Sequence, residues 1–241
     1  MRIDKLLSNI GYGSRKEVKK ILKNGNVTVN GMVIKDAKCQ VDPFADVVFL
    51  FGEEVQYREF IYLMMNKPAG VISATEDNRD KTVIDLLNEE EAIFNPFPVG
   101  RLDKDTEGLL FLTNDGKLAH QLLSPKKNVP KTYFAVIDSP VTEDDVETFA
   151  KGVTLDDGYE AKPGRLVILK SGKYSDIELT ITEGKFHQVK RMFEAIGKKV
   201  VFLKRISMGP ILLDETLENG EYRELTGEEV QLLKDFVPSE A

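Results

Sequence analysis

Several things are scarce in this chain of 241 residues, and each absence excludes something. There is one cysteine, Cys39, so no internal disulfide framework exists. Cys39 itself reads as a strand or core-edge residue rather than a nucleophile. There are two histidines, His120 and His187, far apart and without ligand-type neighbours, so a zinc-type cluster is not expected. No secretory apolar region and no 18-residue apolar run occurs, and the expectation is an intracellular, cytoplasmic protein with no membrane contact. Walker and dinucleotide fingerprints are missing too, so neither a cofactor nor a metal is expected.

What is present is an ordinary globular composition with an uneven charge. Hydrophobic residues make up 41%, enough to expect a folded core rather than disorder. The formal net charge of −7 argues against a nucleic-acid partner if taken as one number. Residues 1–38, however, hold nine Lys or Arg against three Asp or Glu. The remainder therefore carries 24 basic and 37 acidic groups, since the totals are 33 and 40. A small basic head on an acidic body can bring one end to a polyanion.

In the head, Ile3, Leu6, Leu7 and Ile10 recur at helical spacing and predict a short amphipathic helix ending at Gly11 or Gly13. Ser14-Arg15-Lys16-Glu17 matches a capping box that opens a second helix. Its apolar stripe is Val18, Ile21 and Leu22, and Gly25 stops it. Arg15, Lys19 and Lys23 stand four apart on one face. Like charges at that spacing are mildly destabilising, and they make most sense where phosphates lie against them. Val27–Val29 and Met32–Ile34 flank Asn30-Gly31, a strong hairpin signal.

In the body, Gly100-Arg101-Leu102-Asp103-Lys104-Asp105-Thr106-Glu107-Gly108-Leu109-Leu110 sets an aspartate beside an arginine between apolar flanks. Burying such a carboxylate is costly unless a cation or hydrogen bonds answer it. The pattern predicts a strand, a turn and a helix here, and from this segment alone a surface salt bridge and a chemical role both stand. Glu53–Glu59 is polar and reads as a linker, followed by a buried strand over Ile61–Met65 and a turn over Asn66–Gly70. A short helix is expected from Thr82, another after Asp115-Gly116, a capped one over Thr142–Ala150 and one over Gln188–Ile196. Strands are expected over Thr132–Ile137, Leu166–Leu169, Asp176–Ile181 and Val200–Leu203 with Ile206. Asp176–Ile181 alternates cleanly, one face wet and the other buried. The mixture predicts an α+β fold whose body rests on a mixed, largely antiparallel sheet.

Two resemblances follow from these residues. Met1-Arg2-Ile3-Asp4-Lys5-Leu6-Leu7, Gly13-Ser14-Arg15-Lys16-Glu17-Val18 and Gly25-Asn26-Val27-Thr28-Val29-Asn30-Gly31 resemble an S4 RNA-binding domain. The resemblance implies RNA contacts by Arg2, Lys5, Ser14, Arg15, Lys19 and Lys23. Leu63–Gly70, Pro98–Asp103 with Thr106 and Gly108-Leu109-Leu110, Ser124-Pro125, Pro130–Tyr133 and Glu183–Met192 occur in the order found in the S4-fused rRNA pseudouridine synthases of the RsuA type. Together the motifs span nearly the whole chain. They imply an S4 domain over residues 1–58 and a pseudouridine synthase catalytic domain over residues 59–241.

The resemblance implies an isomerase that converts a uridine to pseudouridine without a cofactor. Asp103 matches the essential aspartate, acting on the ribose as nucleophile at C1′ or as base. Tyr133 matches the tyrosine that packs on the uracil. Lys190 matches the basic partner of the aspartate, with the adjacent Arg191 as the competing assignment. Arg101, with Arg191, is expected to organise the flipped nucleotide or its phosphates. The implied partner is ribosomal RNA, 16S rRNA or a small-subunit assembly intermediate, and the chain is expected to act as a monomer. Ser124–Tyr133 and Asp156–Pro163 look more like the 16S branch. The alternatives are a 23S rRNA enzyme and a noncatalytic S4-containing ribosome-assembly protein.

Overall fold

The computed structural model describes residues 1–55 and 57–236. The chain forms two compact units, one of Met1–Ile61 with Asn88–Pro96, the other of Tyr62–Leu87 with the chain from Phe97 onward. The division expected after residue 58 lies close to the end of the first segment. The excursion of residues 88–96 into the first unit has no counterpart in that expectation.

The first unit begins with α1 (Ile3–Asn9) and α2 (Arg15–Lys23). Ser14 caps α2 in a complete capping box with Glu17. Strands β1 (Val27–Val29), β2 (Met32–Val33), β3 (Val48–Leu50) and β4 (Glu53–Glu54) form an antiparallel sheet in the order β2-β1-β3-β4. Ile3, Leu6, Leu7, Val18 and Leu22 close on Val27, Val48 and Leu50 as its core, with Cys39 at the edge as expected. The linker expectation for Glu53–Glu59 needs correcting. Glu53 and Glu54 pair with β3 and Val55 is buried in the same core, because the outward-facing glutamates belong to an edge strand.

The second unit holds β5 (Tyr62–Lys67), β6 (Phe97–Pro98), β7 (Glu107–Thr113), β8 (Lys131–Ile137), β9 (Arg165–Lys170), β10 (Ser175–Ile181), β11 (Val200–Met208), β12 (Ile211–Leu212) and β13 (Tyr222–Glu224). The four-residue α3 (Glu89–Ala92) lies in the excursion; α4 (Gly116–Leu123), α5 (Glu143–Lys151), α6 (Gln188–Ala195) and α7 (Gly227–Phe236) follow. The main sheet runs β13-β5-β7-β11-β8-β10-β9, with β12 on β11 and β6 on β7. Among the strands of the described residues only β7 and β11 pair in parallel, so the sheet is mixed and largely antiparallel as expected. On one side Leu109 and Phe111 pack with Leu118, Leu122, Met208 and Leu233. Among the described residues no helix is long and apolar enough to cross a membrane.

Three local expectations are overturned and one, the strand at Val200, is extended. The turn at Gly100–Gly108 leads into strand β7, not a helix. Leu109–Leu112 are buried throughout because this strand is central and covered on both faces, and a short continuous apolar run does not separate the two periods. Asn66 and Lys67 belong to β5 rather than to the turn after it. Val200–Leu203 and Ile206 lie on one long strand, interrupted by register shifts that broke its pattern. The helix expected from Thr82 shrinks to a 3-10 turn over Ile84–Leu86.

Candidate active site

The loop carrying Asp103 is held through its own main-chain groups, by backbone partners and by the side chains of Ser73 and Lys67. Ser73 Oγ donates to Leu102 O and accepts from Leu102 N, both at 3.0 Å. Gly70 N donates to Lys104 O at 2.7 Å, and Thr106 N to Asp103 O at 3.1 Å. From beneath, the fully buried Lys67 donates Nζ to Thr106 O at 2.8 Å, Pro68 O at 2.9 Å and Lys104 O at 3.5 Å. Burial pushes this ammonium down to about 8, while the charges of Asp105, Asp103 and Glu107 work in the other direction. Lys67 is thus a cationic pin under the loop.

Gly108 sets the loop against the neighbouring strand. Its φ is +99°, and a Cβ there would lie 2.2 Å from Arg205 O. Only glycine lets β7 approach β11 this closely. That approach brings Asp103 to the rim of a cleft floored by β8 and β11.

Helix α6 faces Asp103 from the other side. His187, its N-cap, has φ +49°, and places Nε2 3.6 Å from Asp103 Oδ1. Lys190 Nζ lies 3.5 Å from Asp103 Oδ2 and 2.6 Å from Asp105 Oδ1. Lys190 therefore hydrogen-bonds Asp105, whose carboxyl it holds below the usual range, and reaches Asp103 through charge at longer distance. Arg191 turns elsewhere: its guanidinium pairs with Asp156 at 2.5 Å and Asp157 at 2.7 Å. One helical step thus separates a residue that comes to Asp103 from one that clasps an acidic loop. Gln188 ties the turn before α6 together, accepting from Lys185 N at 2.8 Å and donating to Glu183 Oε1 at 2.5 Å.

Two adjoining clefts open here. The smaller, about 60 Å³, is lined by Asp103, Thr106, His187 and Gln188. The larger, about 280 Å³, is lined by Lys131, Arg205, Tyr159, Lys162 and Glu183. Arg101, Tyr133 and Lys185 line both. Arg101 is exposed, whereas Tyr133 is 7% exposed. At the rim Phe186 is 71% exposed, and its ring stacks on His187 with centroids 3.7 Å apart.

Sequence reasoning placed Asp103, Tyr133, Arg101 and Lys190 around one site, and they do meet there. It missed Lys67, Lys131, Ser73 and Arg205. Lys67 ends a buried strand and Lys131 and Arg205 sit at inward positions of alternating ones, which was the available signal: a cation where the period calls for an apolar residue. In the head, Lys5, Arg15, Lys19 and Lys23 are exposed as expected. Arg2 forks onto the buried Asp4, Nε to Oδ1 at 3.0 Å and Nη2 to Oδ2 at 2.7 Å. The Ser14 hydroxyl is taken up by the cap of α2.

A basic S4-like unit joined to a mixed-sheet unit whose cleft holds an aspartate, a tyrosine and several cations defines an RNA-binding enzyme. Its comparisons agree. Residues 61–195 match the model of the RNA pseudouridylate synthase family, and residues 1–48 that of the S4 domain. The chain is 58% identical to the RNA pseudouridine synthase YtzG of Bacillus subtilis (strain 168), over 98% of this chain and 99% of the relative. It is 43% identical to the ribosomal small subunit pseudouridine synthase A of Vibrio parahaemolyticus, over 95% of this chain and 98% of that one. A crystal structure of a pseudouridylate synthase superposes with a TM-score of 0.68 at 36% identity, covering 97% of this chain and 99% of its own. The chain belongs to the RNA pseudouridylate synthase family, in the branch that carries an N-terminal S4 domain. It is an RNA pseudouridine synthase, and RNA is its partner.

Proposed function

We propose that the chain isomerises one uridine of 16S rRNA to pseudouridine, acting as a cytoplasmic monomer on the RNA or on a small-subunit assembly intermediate. The observation that carries the chemistry is Asp103, held by the main chain of its loop and flanked by Lys190 at 3.5 Å and His187 at 3.6 Å. Both routes at the ribose need a carboxylate that can reach the sugar, and Asp103 lines the cleft. The small-subunit assignment is supported by the nearly full-length likeness to enzymes described as ribosomal small subunit pseudouridine synthase A.

In this reading the domains divide near residue 58. Arg15, Lys19 and Lys23, with Lys5, hold RNA phosphates, a contact that positions RNA without reading its sequence. The target base leaves its stack, an event costing a few kcal/mol, and comes to rest on Tyr133 with its ribose at Asp103. Keeping the detached base enclosed lets it rotate and rejoin instead of diffusing away. Arg101 lines both clefts and organises the flipped nucleotide. The exposed Phe186 offers a stacking face to a neighbouring base. Arg2, Ser14 and Arg191 serve here as structural groups, Arg191 as the clasp on Asp156 and Asp157.

Pseudouridine mapping after incubation with separate 16S and 23S transcripts tests the substrate. A product in 16S rRNA is expected; a product in 23S rRNA alone would move the chain to the large-subunit branch.

A further inference from the structure

We propose that Arg205 and Lys131 form a cationic floor that binds the carbonyl oxygens of the flipped uracil and stabilises the negative charge the base carries while detached from the ribose. This deepens the reading above, since it rests on a uridine entering with its ribose at Asp103.

The placement follows from the sheet. Arg205 on β11 pairs with Tyr133 on β8, and Lys131 lies two residues before Tyr133, so all three side chains share one face. Arg205 is 2% exposed and Lys131 9% exposed, yet both line the larger cleft. Arg205 is fixed by one hydrogen bond, Nε to Leu109 O at 2.8 Å. Its Nη2 is buried without a hydrogen-bond partner. Lys131 Nζ donates to a main-chain oxygen, Val129 O, at 2.9 Å.

Among the described residues no carboxylate pairs with either cation. Glu183, the acidic residue lining the cleft, is occupied by Tyr159 Oη at 2.8 Å, Lys162 N at 2.9 Å and Gln188 Nε2 at 2.5 Å. Two buried cations side by side are unfavourable at rest: burial, with the charge of Arg205 acting in the same sense, lowers the Lys131 ammonium to about 8. A fold keeps such a pair where an anion arrives during function, and a pre-fixed guanidinium meets that charge without reorganising.

The reaction produces an anion at this place. When the C1′–N1 bond breaks, its electron pair stays with the base, giving a uracil monoanion with charge spread over N1, O2 and O4. The base turns, C5 supplies an electron pair to form the C5–C1′ bond, the C5 proton departs to a base and N1 takes up a proton. The balance is the same whether Asp103 attacks C1′ or removes a ribose proton. A phosphate is the competing anion. A phosphodiester is tied to chain on both sides and stays near the surface, whereas a base hanging from one bond can reach a floor this deeply covered.

The test uses the full chain and an RNA transcript that the wild-type protein modifies, with Lys131→Met and Arg205→Gln. Single-turnover isomerisation should slow roughly a hundredfold in each, the scale of losing one buried oxyanion donor. RNA affinity should stay within about twofold. Unchanged single-turnover rates, or an affinity loss that accounts for the whole defect as a phosphate contact would, overturn the proposal. Added guanidinium ion should partly restore Arg205→Ala if the defect is local. A second arm needs no RNA: 5-nitrouracil, a chromophoric uracil that ionises readily, is titrated spectrophotometrically in the presence of protein. The wild type should hold it as the anion at lower pH than in buffer, and Lys131→Met should abolish that shift. Binding of the neutral form alone, or an equal shift in the variant, counts against the floor. Failure of the rRNA assignment appears separately, as no pseudouridine from the wild type on either transcript, and leaves the nitrouracil result standing.

Discussion

The cations of the head and those of the body are the same residue types under opposite conditions. Arg15, Lys19 and Lys23 stand in water on the outer face of α2. Lys67, Lys131 and Arg205 are buried within the main sheet, two of them lowered to about 8 by loss of solvent. Solvated cations attract a polyanion by releasing its counterions, so their effect belongs to affinity and fades with salt. Buried cations are little screened, so their effect belongs to geometry and reaction rate and responds to pH. Under the proposed function, one molecule thus separates holding RNA from acting on it.

The largest expected effect breaks that division at its centre. Asp103→Asn should reduce isomerisation to background while RNA affinity, read by filter binding, changes little. Retained turnover would remove Asp103 from the chemistry. The reciprocal change, Arg15, Lys19 and Lys23 together to Gln, should weaken RNA binding by roughly tenfold to a hundredfold at low salt and flatten the log–log salt slope by up to about three. Single-turnover rate at saturating protein should be retained. An unchanged slope would mean that phosphates lie elsewhere.

The pH profile sharpens the comparison further. Lys131 carries its charge below about pH 8 and loses it above, so the rate should fall about tenfold per pH unit on the alkaline side of that value. The other groups facing it are Arg205, Arg101, Lys162, Lys185, Tyr133, Glu183 and Tyr159, the last pushed up by its bond to Glu183. Lys67 titrates in the same range outside the cleft, so Lys131→Met is the control: its alkaline limb should flatten from a lower starting rate. A limb of undiminished slope in the variant would assign the titration elsewhere. The smallest effect concerns Ser14. Ser14→Ala removes a cap, costing about 1 kcal/mol in denaturant unfolding, with the salt slope of RNA binding unchanged. A reduced slope would return Ser14 to the RNA contacts.

Legibility in the sequence tracked how local the cause was. The capping box at Ser14, the Asn30-Gly31 hairpin and the alternation of Asp176–Ile181 are short-range devices, and each appears where the residues place it. The nature of β7 depended on being covered from both sides by other segments, which its four consecutive apolar residues do not state. The excursion of residues 88–96 is likewise a tertiary choice: Gly11 leaves the space that Ile93 occupies. In the site, Asp103 and Lys190 were legible through motif resemblance, although the shorter bond from Lys190 to Asp105 was not. Lys67 and Arg205 escaped because their partners are main-chain oxygens, which carry no sequence signature.

The most direct measurement is pseudouridine mapping of 16S and 23S transcripts treated in parallel with the wild-type protein and with Asp103→Asn. One modified uridine in 16S rRNA with the wild type, and none with the variant, is the expected result. Modification that survives Asp103→Asn, or a product confined to 23S rRNA, would contradict the site in the first case and the substrate in the second.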